Sequence, residues 1–505
     1  MTEQAASYRR ILRSSSIIGG ASVINIVIGL VRTKVLAVLL GPAGVGLVGL
    51  YGGLMSTATG LASMGLGIVG TRQIAEAVGV EDARALAVAR RAIFLGTLLL
   101  ACAGALVVWV LREPLALHVL GSSEHAGIVG WLALGVAISV AAGSQAALLQ
   151  GMRRIGDMAR LNVFGTALNT ALGIALLWQW GDAGLVAYVL VGPLASLLLG
   201  HVYVARLPKS LAGNIPLSEV TRQWKELLRL GLPFMGAGVA ASLVQLFVRV
   251  EISSVLGTDA LGHYQAASLI SMQYIGFVLV SMGADYYPRL ASVIHDNKAS
   301  IDLVNDQTEI ALLLSAPALI AMMALAPWVI QLIYTGAFAP AVEVLRWQVL
   351  GDVFKLASWP LAFVILAAGD GKTYFWTEIL AMFVGAAVIA GLVAAVGLQI
   401  TGVAYLAGYV VHLPIVYVLA RQRIQFQWSN AVTRLLVIIL SVCLGVGALA
   451  SVIQWLGASI GCLLALAFGL YAVRRLSQLS SLPRPLERLG AIAIRFISKL
   501  ESRHN

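Results

Sequence analysis

Fourteen stretches of about 20 predominantly apolar residues divide this chain of 505 residues, and they leave little room for anything else. A stretch of that length is what an α-helix needs to cross the hydrocarbon core of a bilayer at about 1.5 Å per residue. They fall at roughly 14–40, 45–70, 92–111, 127–150, 161–179, 184–205, 230–257, 260–284, 308–334, 340–368, 374–397, 400–420, 434–454 and 457–473. The apolar run that begins at Ile17 continues to Leu40, so it reads as a first membrane helix and not as a cleaved signal segment. The tenth stretch is interrupted by Glu343, Arg346, Asp352 and Lys355. The expected fold class is therefore an all-α integral membrane protein.

Composition excludes the soluble alternatives. Only 11% of residues are charged and 59% are hydrophobic, whereas a soluble chain carries about 25% charge. A water-soluble enzyme of this length could not cover its surface. The net charge of +11 does not point to nucleic acid, because 28 of the 34 Lys and Arg residues fall on one side of the spans. That side runs from Arg9, Arg10 and Arg13 through Arg72, Arg153, Arg206, Arg289 and Arg421 to Arg503. The positive-inside rule makes it cytoplasmic, with both termini inside. One basic residue, Arg112, lies outside, and five lie within spans. Cys102, Cys443 and Cys462 sit in apolar runs and read as small hydrophobes. No nucleotide-binding Gly-Lys-Ser/Thr loop, zinc-binding His-Glu-x-x-His or paired-cysteine motif is present. The sequence thus implies no metal and no cofactor. Any transport is driven by an ion gradient, H+ or Na+, or by the substrate's own gradient.

The connecting loops are at most about 25 residues long, too short for an extramembrane domain. Function must lie within the bundle. The chain divides into an N-lobe (1–205), a cytoplasmic linker (206–229), a C-lobe (230–420), an additional helix pair (434–473) and a basic tail (474–505). From Pro483, Leu486, Leu489, Ala493, Phe496, Ile497 and Leu500 recur at helical spacing, with Arg488, Arg495 and Lys499 on other faces. That pattern predicts an amphipathic helix on the anionic inner leaflet.

The lobes rest on an internal repeat. Val31-Arg32-Thr33-Lys34 precedes Gly41, Gly46 and Tyr51, and Val248-Arg249-Val250-Glu251 precedes Gly257, Gly262 and Tyr264. Both copies have an Arg, a charged residue two positions on, and a Gly-x4-Gly turn into the next helix. Six spans separate them, so both have the same orientation, as in parallel repeats related by an axis along the membrane normal. The expected architecture is two six-helix lobes around a central cationic cleft, plus two extra helices.

Charges inside spans cost about 2.5–3.5 kcal/mol each on insertion scales, so they normally face a wet cavity or a partner. Arg32 and Arg249 each lie about 12 Å below the outer boundary at 1.5 Å per residue. The guanidinium fork suits phosphate, and two of them facing one cleft make an anion site. Lys34 and Glu251 fall two residues beyond their Arg and on a different helix face. Glu343 and Arg346, and likewise Asp352 and Lys355, are spaced i,i+3 and share a face. Each pair reads either as an intrahelical salt bridge that permits burial or as an ion-coupling site. Glu378 reads as interfacial.

Three segments carry a family resemblance. Gly29-Leu30-Val31-Arg32-Thr33-Lys34-Val35-Leu36-Ala37, running into Gly41-Pro42-Ala43-Gly44-Val45-Gly46, resembles the first helix and turn of Wzx-type O-antigen flippases. Trp347-Gln348-Val349-Leu350-Gly351-Asp352-Val353-Phe354-Lys355 resembles a segment of their O-antigen and enterobacterial common antigen branch, and Tyr287-Pro288-Arg289-Leu290 fits as well. These flippases belong to the multidrug/oligosaccharidyl-lipid/polysaccharide exporter superfamily. The resemblance covers most of the first twelve spans, and the last two depart from a twelve-helix pattern. It implies a non-enzymatic inner-membrane flippase that moves an undecaprenyl-diphosphate-linked oligosaccharide to the outer leaflet by alternating access. Membrane lipids and other polysaccharide assembly proteins are the implied partners. In that reading Arg32 and Arg249 hold the diphosphate with help from Lys34 or Lys355, and Asp352, Glu251 or Glu343 titrates or binds a cation. A cation-coupled drug exporter of the same superfamily, a membrane polymerase or ligase, and a scaffold without transport of its own remain as alternatives.

Overall fold

A bilayer interior offers no water to bond the backbone, so an apolar chain must close its hydrogen bonds within helices. A computed structural model describes residues 2–208 and 215–479; the tail helix expected from Pro483 lies outside the described residues. Fifteen α-helices and three short 3-10 turns make up the described chain, with no strand among the described residues. The helices are α1 (Thr2–Ser63), α2 (Leu66–Gly79), α3 (Ala83–Val110), α4 (Arg112–Leu120), α5 (Ala126–Gly151), α6 (Ile155–Trp180), α7 (Leu185–Ala205) and α8 (Leu217–Leu256). They continue with α9 (Thr258–Val293), α10 (Asn297–Ile333), α11 (Ala341–Ala367), α12 (Gly371–Val396), α13 (Gln399–Ile424), α14 (Asn430–Val452) and α15 (Gln454–Leu479).

Eleven helical segments among the described residues are long and apolar enough to cross a membrane, against fourteen spans read from the sequence. Two of the eleven are double length. Gly19–Ser63 has 45 residues and Ile155–Ala205 has 51, each more than twice the 20 or so that one crossing needs. The first bends at Gly41, whose φ of 62° belongs to glycine, ahead of Pro42, which has no amide hydrogen to continue the ladder. The second turns at Gly181, with φ 53°. The tenth span, doubtful in sequence because of its charges, is the unbroken α11. It is also the most buried of the eleven, and two of its charged residues, Arg346 and Asp352, are enclosed by protein.

The second span, expected over 45–70, breaks instead at Met64 and Gly65, with φ 46° and 75°. Backbone crowding accounts for the break. A Cβ on Gly65 would lie 2.6 Å from the carbonyl oxygen of Gly231, and one on Gly231 would lie 2.5 Å from that of Met64. Only two glycines let the chains approach so closely. Helix α8 begins at Leu217, earlier than the apolar pattern alone suggests. The Trp224 indole holds this amphipathic start against α3, donating to the Ala92 carbonyl at 2.9 Å beside Gly96.

Two compact units result. The first runs to Gly262 and takes in Ile333–Thr335. Its core gathers Leu132, Val136, Ala92, Val129 and Leu54 from α1, α3 and α5. The second takes His263–Leu332 and the described chain from Gly336. Its α11 packs most extensively on α13, and towards their C-terminal ends Leu361, Val364, Ile365, Val416 and Phe426 are sealed from solvent. Cys443 is buried, Cys462 half-buried and Cys102 exposed; all three are free.

The repeat is written in the backbone. Left-handed residues recur at one interval of 216: Gly41 with Gly257, Arg153 with Gly369, and Gly181 with Gly397. At that interval α6 coincides end to end with α12, and α5 overlies α11 apart from one residue. The two Gly-x4-Gly turns also meet reciprocally inside the first unit. A Cβ on Gly46 would come within 2.2 Å of the Thr258 carbonyl oxygen, and one on Gly262 within 2.0 Å of that of Pro42. Since 42 and 258 are themselves equivalent, each turn presents the same backbone atom to the other's glycine, as a two-fold relation demands.

This contact gives a stability prediction. Gly46→Ala or Gly262→Ala places a methyl against backbone that cannot swing away, at a cost of about 1–3 kcal/mol. Either variant is expected to melt at lower temperature in detergent than the wild type. Gly391→Ala, which meets nothing within 4 Å, is expected to be unchanged or slightly more stable.

Candidate functional site

The second unit encloses a carboxylate. Asp352, with no exposed surface, lies on α11 and accepts three hydroxyl donors from two other helices. Ser271 of α9 donates to Oδ2 at 2.8 Å, and Tyr274, one turn on, donates to the same oxygen. Tyr405 of α13 donates to Oδ1 at 2.7 Å. Hydrogen bonds to an ionised group are worth about 1.5–3 kcal/mol each, so three of them offset much of the several kcal/mol lost on burying a charge.

The Trp347-to-Lys355 segment acquires a physical meaning here. Gln348 donates to Ser268 on α9 at 3.0 Å, one turn from the Asp352 contacts. Gly351 makes room for the Tyr405 ring, since a Cβ there would lie 2.6 Å from its Cδ1. Trp347 fits over Gly402 of α13 at a similarly short approach. Lys355 does not form the direct i,i+3 ion pair with Asp352 that the spacing suggests. Its ammonium donates to the Tyr405 hydroxyl at 3.4 Å, and that hydroxyl donates onward to Asp352. The same ammonium lies 5.4 Å from the centre of the Tyr409 ring, within cation–π range. Glu343 and Arg346, by contrast, do form the expected salt bridge, at 2.9 Å.

The network continues to residues that sequence reasoning passed over. On α13, Tyr405, Tyr409 and His412 follow at i, i+4 and i+7, a polar stripe on an apolar helix that could have been recognised by its spacing. His412 is 3% exposed, and neither ring nitrogen has a hydrogen-bond partner in the described structure. Its Nε2 lies 3.6 Å from Oε1 of Glu378 on α12. Glu378, read from sequence as interfacial, is the half-exposed end of this chain of groups.

The first unit does without any of this. At the 216-residue interval, Asp352 corresponds to Val136, Tyr405 to Val189, Tyr409 to Pro193, His412 to Ser196 and Tyr274 to Ala58. One copy of the fold packs these positions with small or apolar residues. The polar cluster is therefore not a requirement of the architecture.

The first unit holds Arg32, Lys34 and Arg249. Arg32 of α1 is half-buried, within electrostatic reach of the Tyr188 hydroxyl on α7. Among the described residues no hydrogen-bond or ion-pair partner is found for it. Lys34 donates to the backbone carbonyl of Tyr334. Arg249 of α8 donates to the Gly49 carbonyl at 3.2 Å and fills the space left by Gly53. The half-buried Glu251 side chain makes no ion pair among the described residues. The backbone interval pairs Arg249 with Thr33, not Arg32. One residue is about 100° of helix rotation, which accounts for the different surroundings of the two guanidinium groups.

Three comparisons bear on what this arrangement belongs to. Residues 11–294 match the family model described as polysaccharide biosynthesis protein, and residues 160–478 match that of the lipid II flippase MurJ. The lipid III flippase of Escherichia coli (strain K12) is 24% identical over 423 residues, covering 80% of this chain and 97% of the relative. Among solved structures, the lipid II flippase MurJ in its inward closed conformation superposes with a TM-score of 0.70 at 14% identity, covering 91% of this chain and 99% of that one. An inward-facing multidrug resistance MATE transporter of the MOP superfamily gives 0.67 at 18% identity, covering 81% and 96%. These structural likenesses establish a shared fold. Each family model spans more than half of the sequence, and on that ground the chain belongs to the polysaccharide biosynthesis protein family, within the multidrug/oligosaccharidyl-lipid/polysaccharide exporter superfamily that includes MurJ.

Proposed function

We propose that this protein is a multi-pass inner-membrane flippase, with both termini cytoplasmic, that carries a polyprenyl-diphosphate-linked oligosaccharide from the cytoplasmic to the periplasmic leaflet by alternating access. The observation that carries the reading is the pairing of intramembrane cations in the first unit with match to a lipid III flippase over nearly its whole length. A diphosphate bearing a sugar chain cannot shed its water in hydrocarbon without replacement donors. Arg32, Arg249 and Lys34 supply such donors, and Arg offers two parallel bonds to a phosphate. The polyprenyl tail stays in lipid throughout, so only the headgroup needs a polar path.

Asp352 and Lys355 have a different part in this reading. Their hydrogen bonds are committed to each other through Tyr405, so they serve conformational switching, with Glu343 and Arg346 as a supporting ion pair. A cation-coupled exporter of small molecules is the second reading, favoured by the likeness to a multidrug transporter. An exporter of cationic drugs would use a carboxylate open to its cargo, whereas Asp352 is closed off by three hydroxyls. Other polysaccharide assembly proteins are natural partners for a flippase that hands its cargo on.

Replacing Arg32 by Gln removes the charge and keeps the length. Losing one charge-assisted phosphate contact of about 1.5–3 kcal/mol is expected to reduce restoration of surface polysaccharide in a flippase-null strain by about tenfold or more. Full restoration at normal expression would remove the diphosphate assignment. For the second unit, Asp352→Ala leaves Lys355 buried without its counter-charge and is expected to cost about 3–5 kcal/mol. Adding Lys355→Met is expected to recover much of the lost melting temperature without recovering transport, which separates the pair's structural contribution from its functional one.

A further inference from the structure

Asp352, Tyr405 and Lys355 form a hydrogen-bonded line with a direction: Lys355 Nζ–H to Tyr405 Oη at 3.4 Å, and Tyr405 Oη–H to Asp352 Oδ1 at 2.7 Å. Reversing every bond gives a second arrangement that is equally satisfied. A protonated Asp352 donates to Tyr405, and Tyr405 donates to the lone pair of a neutral Lys355. The two arrangements differ by one proton moved from Lys355 to Asp352. In that move an N–H bond of Lys355 breaks as an O–H bond forms at Tyr405, and the original Tyr405 O–H bond breaks as an O–H bond forms at Asp352. No external reactant is needed, and a buried ion pair becomes two neutral groups.

Beyond Lys355 lie two further titratable side chains, Glu378 and His412. Glu378, whose charge acts on Lys355, is 35% exposed at its side chain, and the unpartnered His412 lies beside it. We propose that the second unit contains a proton-loading wire, in which Glu378 and His412 take a proton from water and return it to Lys355 after Lys355 has protonated Asp352 through Tyr405. The ligand of this site is the proton and not a metal cation. The Asp352 carboxylate is already bonded by three hydroxyls, and the positive charge facing it is the chain's own Lys355.

Groups from four further helices face the wire. Ser271 and Tyr274 come from α9, Tyr374 and Glu378 from α12, Tyr409 and His412 from α13, and Cys443 from α14. Since α11 supplies Asp352 and Lys355 themselves, no cation other than Lys355, and His412 when protonated, is among these groups. The first unit, with Val136, Ser139 and Val189 at the positions of Asp352, Lys355 and Tyr405, cannot form a wire.

The proposal rests on the flippase reading only for its transport arm, and its test has two arms. In the first, infrared difference spectra of the detergent-solubilised full chain are recorded on acidification. The expected result is a carboxylic-acid band that disappears in Asp352→Asn, and that shifts or weakens severalfold in Tyr405→Phe, which keeps the ring and loses the relay hydroxyl. An Asp352 band unchanged in Tyr405→Phe would overturn the wire. Should that variant fail to fold, Glu378→Gln tests the entry end, with slower appearance of the band expected and an unchanged rate contradicting it. In the second arm, the protein in vesicles of defined lipid is given a pH gradient in sodium or in choline buffer. The acceleration of flipping by the gradient is expected to be the same in both buffers and to be lost in Tyr405→Phe. Acceleration that requires sodium would overturn the proposal. Absence of flipping in every buffer would count against the flippase reading and leave the infrared result standing.

Discussion

A buried carboxylate that reaches no solvent persists only if protein replaces the water it has lost. Asp352 meets that condition with three hydroxyls from two neighbouring helices. The geometry of the second unit follows from it. Helix α13 approaches α11 closely because Gly351 and Gly402 remove the side chains that would hold them apart. The Tyr405 ring slides over Gly351 and brings its hydroxyl between Asp352 and Lys355. The burial of Arg346 and Asp352 on α11 gives two of its four charged residues protein partners in place of lipid.

The internal repeat shows which features are scaffold and which are additions. Three left-handed turns, the bounds of α6 and α12 and the reciprocal glycine contact obey a single 216-residue interval. The charged and aromatic residues do not. The second copy has Asp352, Lys355, Tyr405, Tyr409 and His412, and the first has Arg32 and Lys34, with small or apolar residues where the second has its cluster. Two copies of one backbone thus carry different electrostatic equipment. In the proposed function the first unit, which holds Arg32, Lys34 and Arg249, recognises an anionic headgroup and the second responds to protons.

Much of the fold was legible because membrane helices are constrained by length and hydropathy alone. The glycine turns at 41 and 257 were legible because positive φ and a following helix demand them. The break at Gly65 was not, since its cause is the distant Gly231 and no local signal marks it. The Asp352–Lys355 spacing correctly marked a shared face but suggested a direct ion pair, and the intervening Tyr405 lies 50 residues from Lys355. Arg32 and Arg249 looked equivalent in sequence because Val-Arg recurs; a one-residue difference in distance to the following glycine rotates one away from the other. His412 was legible only as the end of the Tyr405-Tyr409-His412 stripe on α13; its neighbour Glu378 lies on another helix.

The central claim is that this chain supplies the donors that let a diphosphate-linked sugar headgroup cross hydrocarbon. The most direct measurement follows a fluorescent polyprenyl-diphosphate oligosaccharide in vesicles containing the purified protein, with an impermeant quencher reporting which leaflet holds the headgroup. The account predicts quenching of nearly the whole population with the wild-type chain, of the outer-leaflet fraction alone in protein-free vesicles, and slower crossing with Arg32→Gln. Quenching in wild-type vesicles that never exceeds the protein-free level would contradict it.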